Sequence, residues 1–414
     1  MSKLNLQLKK ARLAARKTAQ LSKQAKNLAL AKIAQHLKKN QQLILQANQA
    51  DLKQGAQNKL GAKLARLKFD TPKILGTCQA IQNIINLKDP TQQILAQTKT
   101  RRGFTLQKIT VPLGVIAIIY EARPNVTVEA AVLALKAGNA VILRGSRDAQ
   151  KSNQVLVKIM RTALEQTTIP PDAIQLVADP NHQVVGEILA ARGQIDLAIP
   201  RGSQNLINFV VENAKVPVIE TGASVVHLFI DQTAKLPQAV KIALNSKLRN
   251  VALCNALDTL ILHEKIAAQF LENFVPQFFT QGGTLHAAKT VQKFLPPATK
   301  LLAPAFDREW LSRDLNLKIV DSVAAAIKFI QTHSLGHTEA ICSQNQTNQK
   351  KFLAEVDAAC VFTNLSTQFS DGGEFGLGAE MGISTQKLHA RGPFALADLV
   401  SYKWIGRGQG EIRA

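Results

Sequence analysis

The chain has 414 residues, 46% of them apolar, and a formal net charge of +22 at pH 7. At one domain per roughly 150 residues, this length predicts two or three domains, with room for an enzyme's cleft. No stretch approaches the roughly 18 uninterrupted apolar residues of a bilayer span, so the chain reads as soluble, with no membrane partner.

The first twenty residues, MSKLNLQLKKARLAARKTAQ, are basic and lack the apolar centre of a secretion signal. Their shortage of acids is also a feature of organelle transit peptides, but they read as mature protein, and a cytoplasmic location is expected. Four cysteines, Cys78, Cys254, Cys342 and Cys360, include no CxxC pair, and none stands near a histidine at zinc spacing. This usage fits free thiols in a reducing compartment and points to no metal site.

The positive charge is local. Residues 1–102 hold 21 lysines and arginines against Asp51, Asp70 and Asp89, a net +18, whereas residues 103–414 hold 30 against 26 acids. Leu30, Ile33, Leu37, Ile44 and Ala47 give one apolar helical stripe, with lysines and glutamines around it. The economical reading of those lysines is a solvated helical face; the sharper one is a patch for an anionic polymer or membrane surface. The first aromatic residue is Phe69, so the region has no base-stacking side chains and a nucleic-acid partner is not expected.

From about residue 103 the texture alternates. Val115–Tyr120 is a continuous apolar run suited to a strand buried on both faces, and Val126–Ala137 follows as a helix closed by Gly138. Ala140–Arg144 is the next strand. A helix near Gln154–Gln166, strand Ile174–Val177, helix Gln183–Ala191, strand Ile195–Ile199, helix Gln204–Asn213 and strand Val216–Glu220 continue the series. The alternation predicts a parallel sheet with crossover helices, a doubly wound α/β domain of Rossmann type. Beyond it, Val225–Ile230, a helix around Lys235–Arg249, strand Leu260–His263 and a helix from Ile266 predict a second α/β domain.

Such sheets bind ligands beyond the carboxyl ends of their strands. Three junctions lie there: Glu121–Thr127 (EARPNVT), Arg144–Ala149 (RGSRDA) and Pro200–Ile207 (PRGSQNLI). None is a GxGxxG, and each read singly is as well explained by an ordinary turn. Arg201, Gly202 and Ser203, at a helix start, could cradle an anion, because backbone NH groups and the helix dipole favour negative charge. Cys254, in RNVALCNALDT, lies between a helix and a strand, where a thiol could face a cleft. On composition alone, a small buried core residue is the commoner fate of such a cysteine.

Longer motifs add to this reading. VPLGVIAIIYEARPNVTVEAA (Val111–Ala131), LKAGNAVILRG (Leu135–Gly145), CNALDTLILH (Cys254–His263), DGGEFGLGAEMGISTQKLHARGP (Asp371–Pro393) and SYKWIGRGQGEIR (Ser401–Arg413) resemble the gamma-glutamyl phosphate reductases, a family within the aldehyde dehydrogenase superfamily. The resemblance runs from about Ala14 to Arg413.

It implies NADPH-dependent reduction of L-glutamyl 5-phosphate to glutamate 5-semialdehyde in proline synthesis, with phosphate released. Cys254 matches the family's nucleophile, which forms a thioacyl enzyme. Asn125 matches the superfamily's oxyanion asparagine, with the Cys254 backbone NH as partner donor; on the residues alone it is a helix N-cap before Val126. Glu220 matches a glutamate that activates water in hydrolytic relatives, and here proton transfer, thiol activation and strand-end hydrogen bonding remain open to it. Arg144, followed by Gly145, aligns with a residue holding the adenosine ribose, and Arg147 suits the extra phosphate of NADP. Glu309 resembles the glutamate that contacts the nicotinamide-side ribose. Arg123, His389 and Arg391 are the weaker substrate-binding candidates.

The resemblance further implies a cofactor domain over 1–220 with the N-terminal helices, a catalytic domain over 221–395, and a tail, 396–414, that pairs with 101–111 to link subunits into a homo-oligomer. Whether a glutamate kinase, which makes the labile acyl phosphate, associates with the chain as a protein partner stays open. The resemblance departs from the family pattern at Asn250 and Val251, where an arginine and a proline are usual, at Ser146, in Ser224–Val226, and at Gln368, where the family has arginine. Two alternatives stay open: another aldehyde dehydrogenase-type enzyme with a shifted substrate, and a weakly active paralogue whose basic N-terminus binds an anionic partner.

Overall fold

A computed structural model of the chain describes residues 2–413 apart from 59, 62, 182 and 296–298. Five helices come first: α1 (Lys3–Thr18), α2 (Lys23–Lys39), α3 (Gln41–Gln57), α4 (Lys63–Leu67) and α5 (Thr71–Asn86). Ser2, Ser22 and Asp70 cap α1, α2 and α5, each accepting a bond from an NH in the first turn. The stripe from Leu30 to Ala47 is divided between two helices. Asn40 ends α2 by donating its side-chain amide to the His36 carbonyl at 2.8 Å, which removes it from a continuous helix.

The lysines of this region are mostly exposed, with one exception that the solvated-face reading did not anticipate. Lys26 is 1% exposed, and its ammonium lies 2.7 Å from Asp89 and 3.0 Å from the Thr91 hydroxyl. Burial alone would raise the Asp89 carboxyl, but Lys26 and Thr91 hold it below the usual range.

Next come β1 (Ile94–Lys99), β2 (Thr105–Pro112), β3 (Val115–Tyr120), α6 (Pro124–Lys136), β4 (Ala140–Gly145), α7 (Gln150–Leu164), β5 (Ile174–Leu176), α8 (Gln183–Ala190), β6 (Leu197–Arg201) and α9 (Gln204–Asn213). Every residue of β3 and β4 is buried, as a sheet covered on both faces demands. The sheet runs β5-β4-β3-β6, all parallel. Gly138, at φ +80, turns the chain from α6 into β4, and a Cβ there would lie 2.7 Å from Pro112.

Val216–Glu220 does not form the expected strand. It makes a single bridge, Ala198 to Val218, because Pro217 has no NH to give and can only accept, from Ala198 at 2.8 Å. A three-stranded antiparallel sheet runs β1-β2 and then the C-terminal strand Val400–Arg407, which pairs with β2 from Val400 opposite Pro112 to Arg407 opposite Thr105. β1 was not foreseen in the sequence.

These elements belong to one of two units, Met1–Thr221 with Leu377–Gly382 and Phe394–Ala414. The other, Gly222–Gly376 with Ile383–Pro393, contains β7 (His227–Ile230), α10 (Leu236–Leu248), β8 (Thr259–His263), α11 (Glu264–Thr280), β9 (Thr284–His286), β10 (Asp314–Val320), α12 (Val323–His333), β11 (Thr338–Cys342), α13 (Gln346–Glu355) and β12 (Cys360–Thr363). Its six strands run β12-β11-β7-β8-β10-β9, all parallel. Phe270, Phe274 and Phe278 of α11 are fully buried in its core.

Candidate active site

In the first unit the carboxyl ends of β3 and β4 open into a cleft of about 740 Å³, whose walls include Tyr120, Arg123, Arg144, Arg147, Leu206 and Phe209. Arg144 is 8% exposed and donates to the carbonyls of Gly145 and, at 3.4 Å, Pro180. Burial lowers its pKa, against the pull of Asp179. Gly145 is needed for a close approach: a Cβ would lie 2.9 Å from the Tyr120 ring and collide with the Asn153 amide. The mixture of apolar wall and guanidinium groups at strand ends suits a phosphate-bearing dinucleotide.

The Arg201–Ser203 junction already has an acid against it. Ser203 donates its hydroxyl to Glu121 at 2.6 Å, and a Cβ on Gly202 would lie 2.7 Å from the Glu121 side chain. From α9 it is Asn205, Leu206 and Phe209 that line the cleft. Glu220 is half-buried, just beyond the Val218 bridge.

A second cleft of about 530 Å³ adjoins the first, and Arg66 and Arg123 line both. Its other walls include Lys73, Thr77, Asn125 and Glu129. Asn125 is not the helix N-cap. Pro124, with φ preset for a first turn, begins α6 two residues earlier than expected, so Arg123 takes the cap position. The Asn125 amide is thereby inside the first turn and donates to Glu129 at 3.1 Å.

Arg66 reaches this place through buried neighbours. Asn48 of α3 donates to the Leu67 carbonyl at 2.9 Å and accepts from the Phe69 NH at 2.8 Å, and Leu67 packs on Ala122 and Ala149. Asp51 holds the start of α7 through the Ser152 NH at 2.7 Å and hydroxyl at 2.6 Å. Neither Arg66 nor Lys73 stood out in the sequence, since both belong to the lysine-rich texture that also makes exposed helix faces.

In the second unit Cys254 is half-buried on a turn between α10 and β8. The turn is fixed on both sides of the thiol. Asn255 donates to the Ser370 carbonyl at 2.9 Å, and its own carbonyl accepts from Thr367 at 2.7 Å. Gln368, 3% exposed, donates to the carbonyls of Ser246 at 2.9 Å and Asn250 at 3.3 Å and accepts from Arg249 at 3.1 Å. Asn250 accepts from the Ala252 NH at 3.1 Å, closing the bend. Thus the Gln368 side chain ties the Asn250 main chain to the end of α10, a role that the sequence did not reveal.

Below the turn, Lys247 is fully buried, and among the described residues its ammonium donates to none. Burial pulls its pKa down to about 8, opposed by Asp258 and Asp314. Asp258 is pushed up to about 6 by burial, although Lys247 and the NH groups of Trp310 (2.9 Å) and Val226 (3.1 Å) favour its charged form. Glu309 accepts from Ser224 at 3.0 Å, and burial raises its carboxyl. His389 is exposed. Arg391 is bound to Asp357 at 2.6 Å, with Lys387 on the other carboxylate oxygen at 2.5 Å.

The predicted residues therefore fall into two groups. Arg123, Asn125, Arg144, Gly145, Arg147, Arg201, Gly202, Ser203 and Glu220 belong to the first unit, and Cys254, Glu309, His389 and Arg391 to the second.

Residues 4–288 match the aldehyde dehydrogenase family, a family of oxidoreductases to which the chain belongs. Within it the chain is a member of the gamma-glutamyl phosphate reductase group. A gamma-glutamyl phosphate reductase of Thermoanaerobacter pseudethanolicus is 41% identical over 411 residues, 99% of each chain. That of Dehalococcoides mccartyi is 44% identical over 357 residues, 85% of this chain and 84% of the other. The crystal structure of the Thermotoga maritima gamma-glutamyl phosphate reductase covers all of both chains at a TM-score of 0.97 and 38% identity. An acetylating aldehyde dehydrogenase of Geobacillus thermoglucosidasius, 17% identical, shares the fold at a TM-score of 0.70.

Proposed function

We propose that the chain reduces L-glutamyl 5-phosphate to L-glutamate 5-semialdehyde at the expense of NADPH and releases phosphate. The observation that carries this reading is a half-buried thiol on a turn fixed on both sides, in a chain 41% identical over 99% of its length to a reductase of that name. The Cys254 thiolate attacks the acyl carbonyl, a C–S bond forms, and the C–O bond to phosphate breaks with its electron pair on the leaving oxygen. NADPH, when bound, supplies the hydride that takes the thioester to the aldehyde level. By its match to the superfamily's oxyanion asparagine, Asn125 is the side-chain donor for the oxygen that becomes negative in each tetrahedral state.

Arg144 and Arg147 suit the adenosine side of the dinucleotide, and Glu309 its nicotinamide-side ribose. Glu220 sits at the end of a chain segment anchored to β6 and serves proton transfer or orientation of the thiol. Exposed Ile94, Leu95, Tyr402 and Trp404 on the antiparallel sheet favour pairing with a second copy through its edge.

The test measures NADP reduction with glutamate 5-semialdehyde at graded phosphate, for wild type and Cys254→Ser. Phosphate-dependent turnover that is lost in the variant is expected. Equal activities in the two proteins, or a wild-type rate indifferent to phosphate, would refute the reading, the latter in favour of another acyl acceptor.

A further inference from the structure

Arg66 and Arg123 are the two cations shared by both clefts of the first unit. They come from distant parts of the chain and are brought together by the Leu67–Ala122 packing between them. Among the described residues, neither is paired with a carboxylate at salt-bridge distance. Burial, and then the guanidiniums of Arg201 and Arg66, draw Arg123 below its ordinary value, while Glu121 and Glu129 offset this only in part. Lys73 adds positive field to the smaller cleft, although its ammonium is already engaged by the carbonyls of Lys68 at 2.6 Å and Ala65 at 3.4 Å. Glu121 borders the larger cleft and Glu129 the smaller, but guanidiniums gathered in a concave wall with no carboxylate at salt-bridge distance among the described residues are an arrangement that binds a tetrahedral oxyanion through paired NH donors.

We propose that Arg66 and Arg123, at the partition between the two clefts, form the seat of a phosphoryl dianion: that of the acyl-phosphate substrate, and then of the phosphate it releases. This rests on the reductase reading above. The seat belongs to the substrate because Asn125, the donor assigned to the acyl oxygen, lines the cleft that Arg66 and Arg123 close on one side. The larger cleft has its own cations, Arg144 and Arg147, for a dinucleotide. When the thiolate displaces phosphate, the electron pair of the broken C–O bond adds one negative charge to a group that already carries two. A proton from solvent then returns it to hydrogen phosphate. Two guanidiniums therefore bind the departing group most strongly as the bond breaks.

The test titrates inorganic phosphate, and separately NADPH, into the full-length wild type, Arg66→Gln and Arg123→Gln, by calorimetry and by nucleotide fluorescence. The phosphate Kd is expected to rise at least tenfold in each variant while the NADPH Kd moves less than twofold. Arg66→Lys, which keeps charge but loses the two-pronged donor, should fall between wild type and Arg66→Gln. Unchanged phosphate binding in both glutamine variants overturns the proposal. So does a loss confined to NADPH, which would assign the pair to the dinucleotide's own phosphates. Phosphate-dependent wild-type turnover whose phosphate KM is unmoved by either variant overturns the seat and retains the reductase. Phosphate bound through these arginines with turnover indifferent to phosphate retains the seat and overturns the reductase.

Discussion

Lys26 and Arg66 stand 40 positions apart in the same basic quarter of the chain, and the fold treats their charges in opposite ways. Lys26 is enclosed with Asp89 and Thr91, so its charge is neutralised by the chain itself. Arg66 is exposed at the wall of a cleft, beside another guanidinium and without an acid at salt-bridge distance among the described residues. The difference teaches that net charge along a sequence says little until each cation's partner is known. A cation neutralised inside the chain is costly to remove singly, because its acid is left buried and alone, and one with no acid at salt-bridge distance is available to a ligand.

The largest effect is expected where the charge is enclosed. Lys26→Met leaves the Asp89 carboxylate largely buried and alone, and should cost about 3–5 kcal/mol in unfolding free energy. A denaturant midpoint within experimental error of wild type would remove Lys26 from the comparison. On the other side of it, Asn125→Ala takes the neutral donor out of the cationic cleft. Turnover should fall roughly a hundredfold or more with the melting temperature little changed; a change in KM alone would mean that Asn125 acts in binding and not on the developing oxyanion.

Gln368→Ala takes a partner from Arg249, from the Asn250 carbonyl of the thiol turn and from the Ser246 carbonyl of α10, at a cost of about 1–3 kcal/mol. The rate of Cys254 alkylation by iodoacetamide should change together with kcat, because the turn that presents the thiol loosens. A stability loss with an unaltered alkylation rate would reduce Gln368 to core packing.

The smallest effect is expected at Lys247, a buried cation whose ammonium finds no hydrogen-bond acceptor among the described residues. With Asp258 raised to about 6 in the folded protein, the native state binds the extra proton between pH 3.8 and 6, so this group's contribution to stability falls as pH rises through that window. Lys247→Met removes the cation that opposes the shift, and the window should extend upward. Thermal melts from pH 5 to 8 should show the variant losing more stability with rising pH than wild type. Parallel profiles would mean that the two groups do not interact.

The parts of the fold that were legible are those where one residue pattern has one physical solution. β3 and β4 could be read from their apolar runs, since only a sheet covered on both faces buries every side chain of VIAIIY and AVILR. The second run of that kind, Val216–Glu220, failed because Pro217 withholds a donor that the apolar pattern does not reveal. The start of α6 lies two positions before the expected one for a related reason: Pro124 is a better first helical residue than Asn125 is a cap in that context. Gln368 and Asn250 meet across 118 positions, and Arg66 reaches Arg123 across 57, distances over which local pattern carries no information.

The bond between Gln368 and Asn250 also bears on how this sequence could have changed. The acceptor is a main-chain oxygen that any residue at 250 would offer, so the contact depends on Gln368 and on the path of the turn. Restoring arginine at position 368 alone would set a second guanidinium against Arg249, which now donates to the Gln368 carbonyl oxygen. An arginine at 368 therefore depends on what stands at 249, and introduced alone it should serve the turn less well than Gln368.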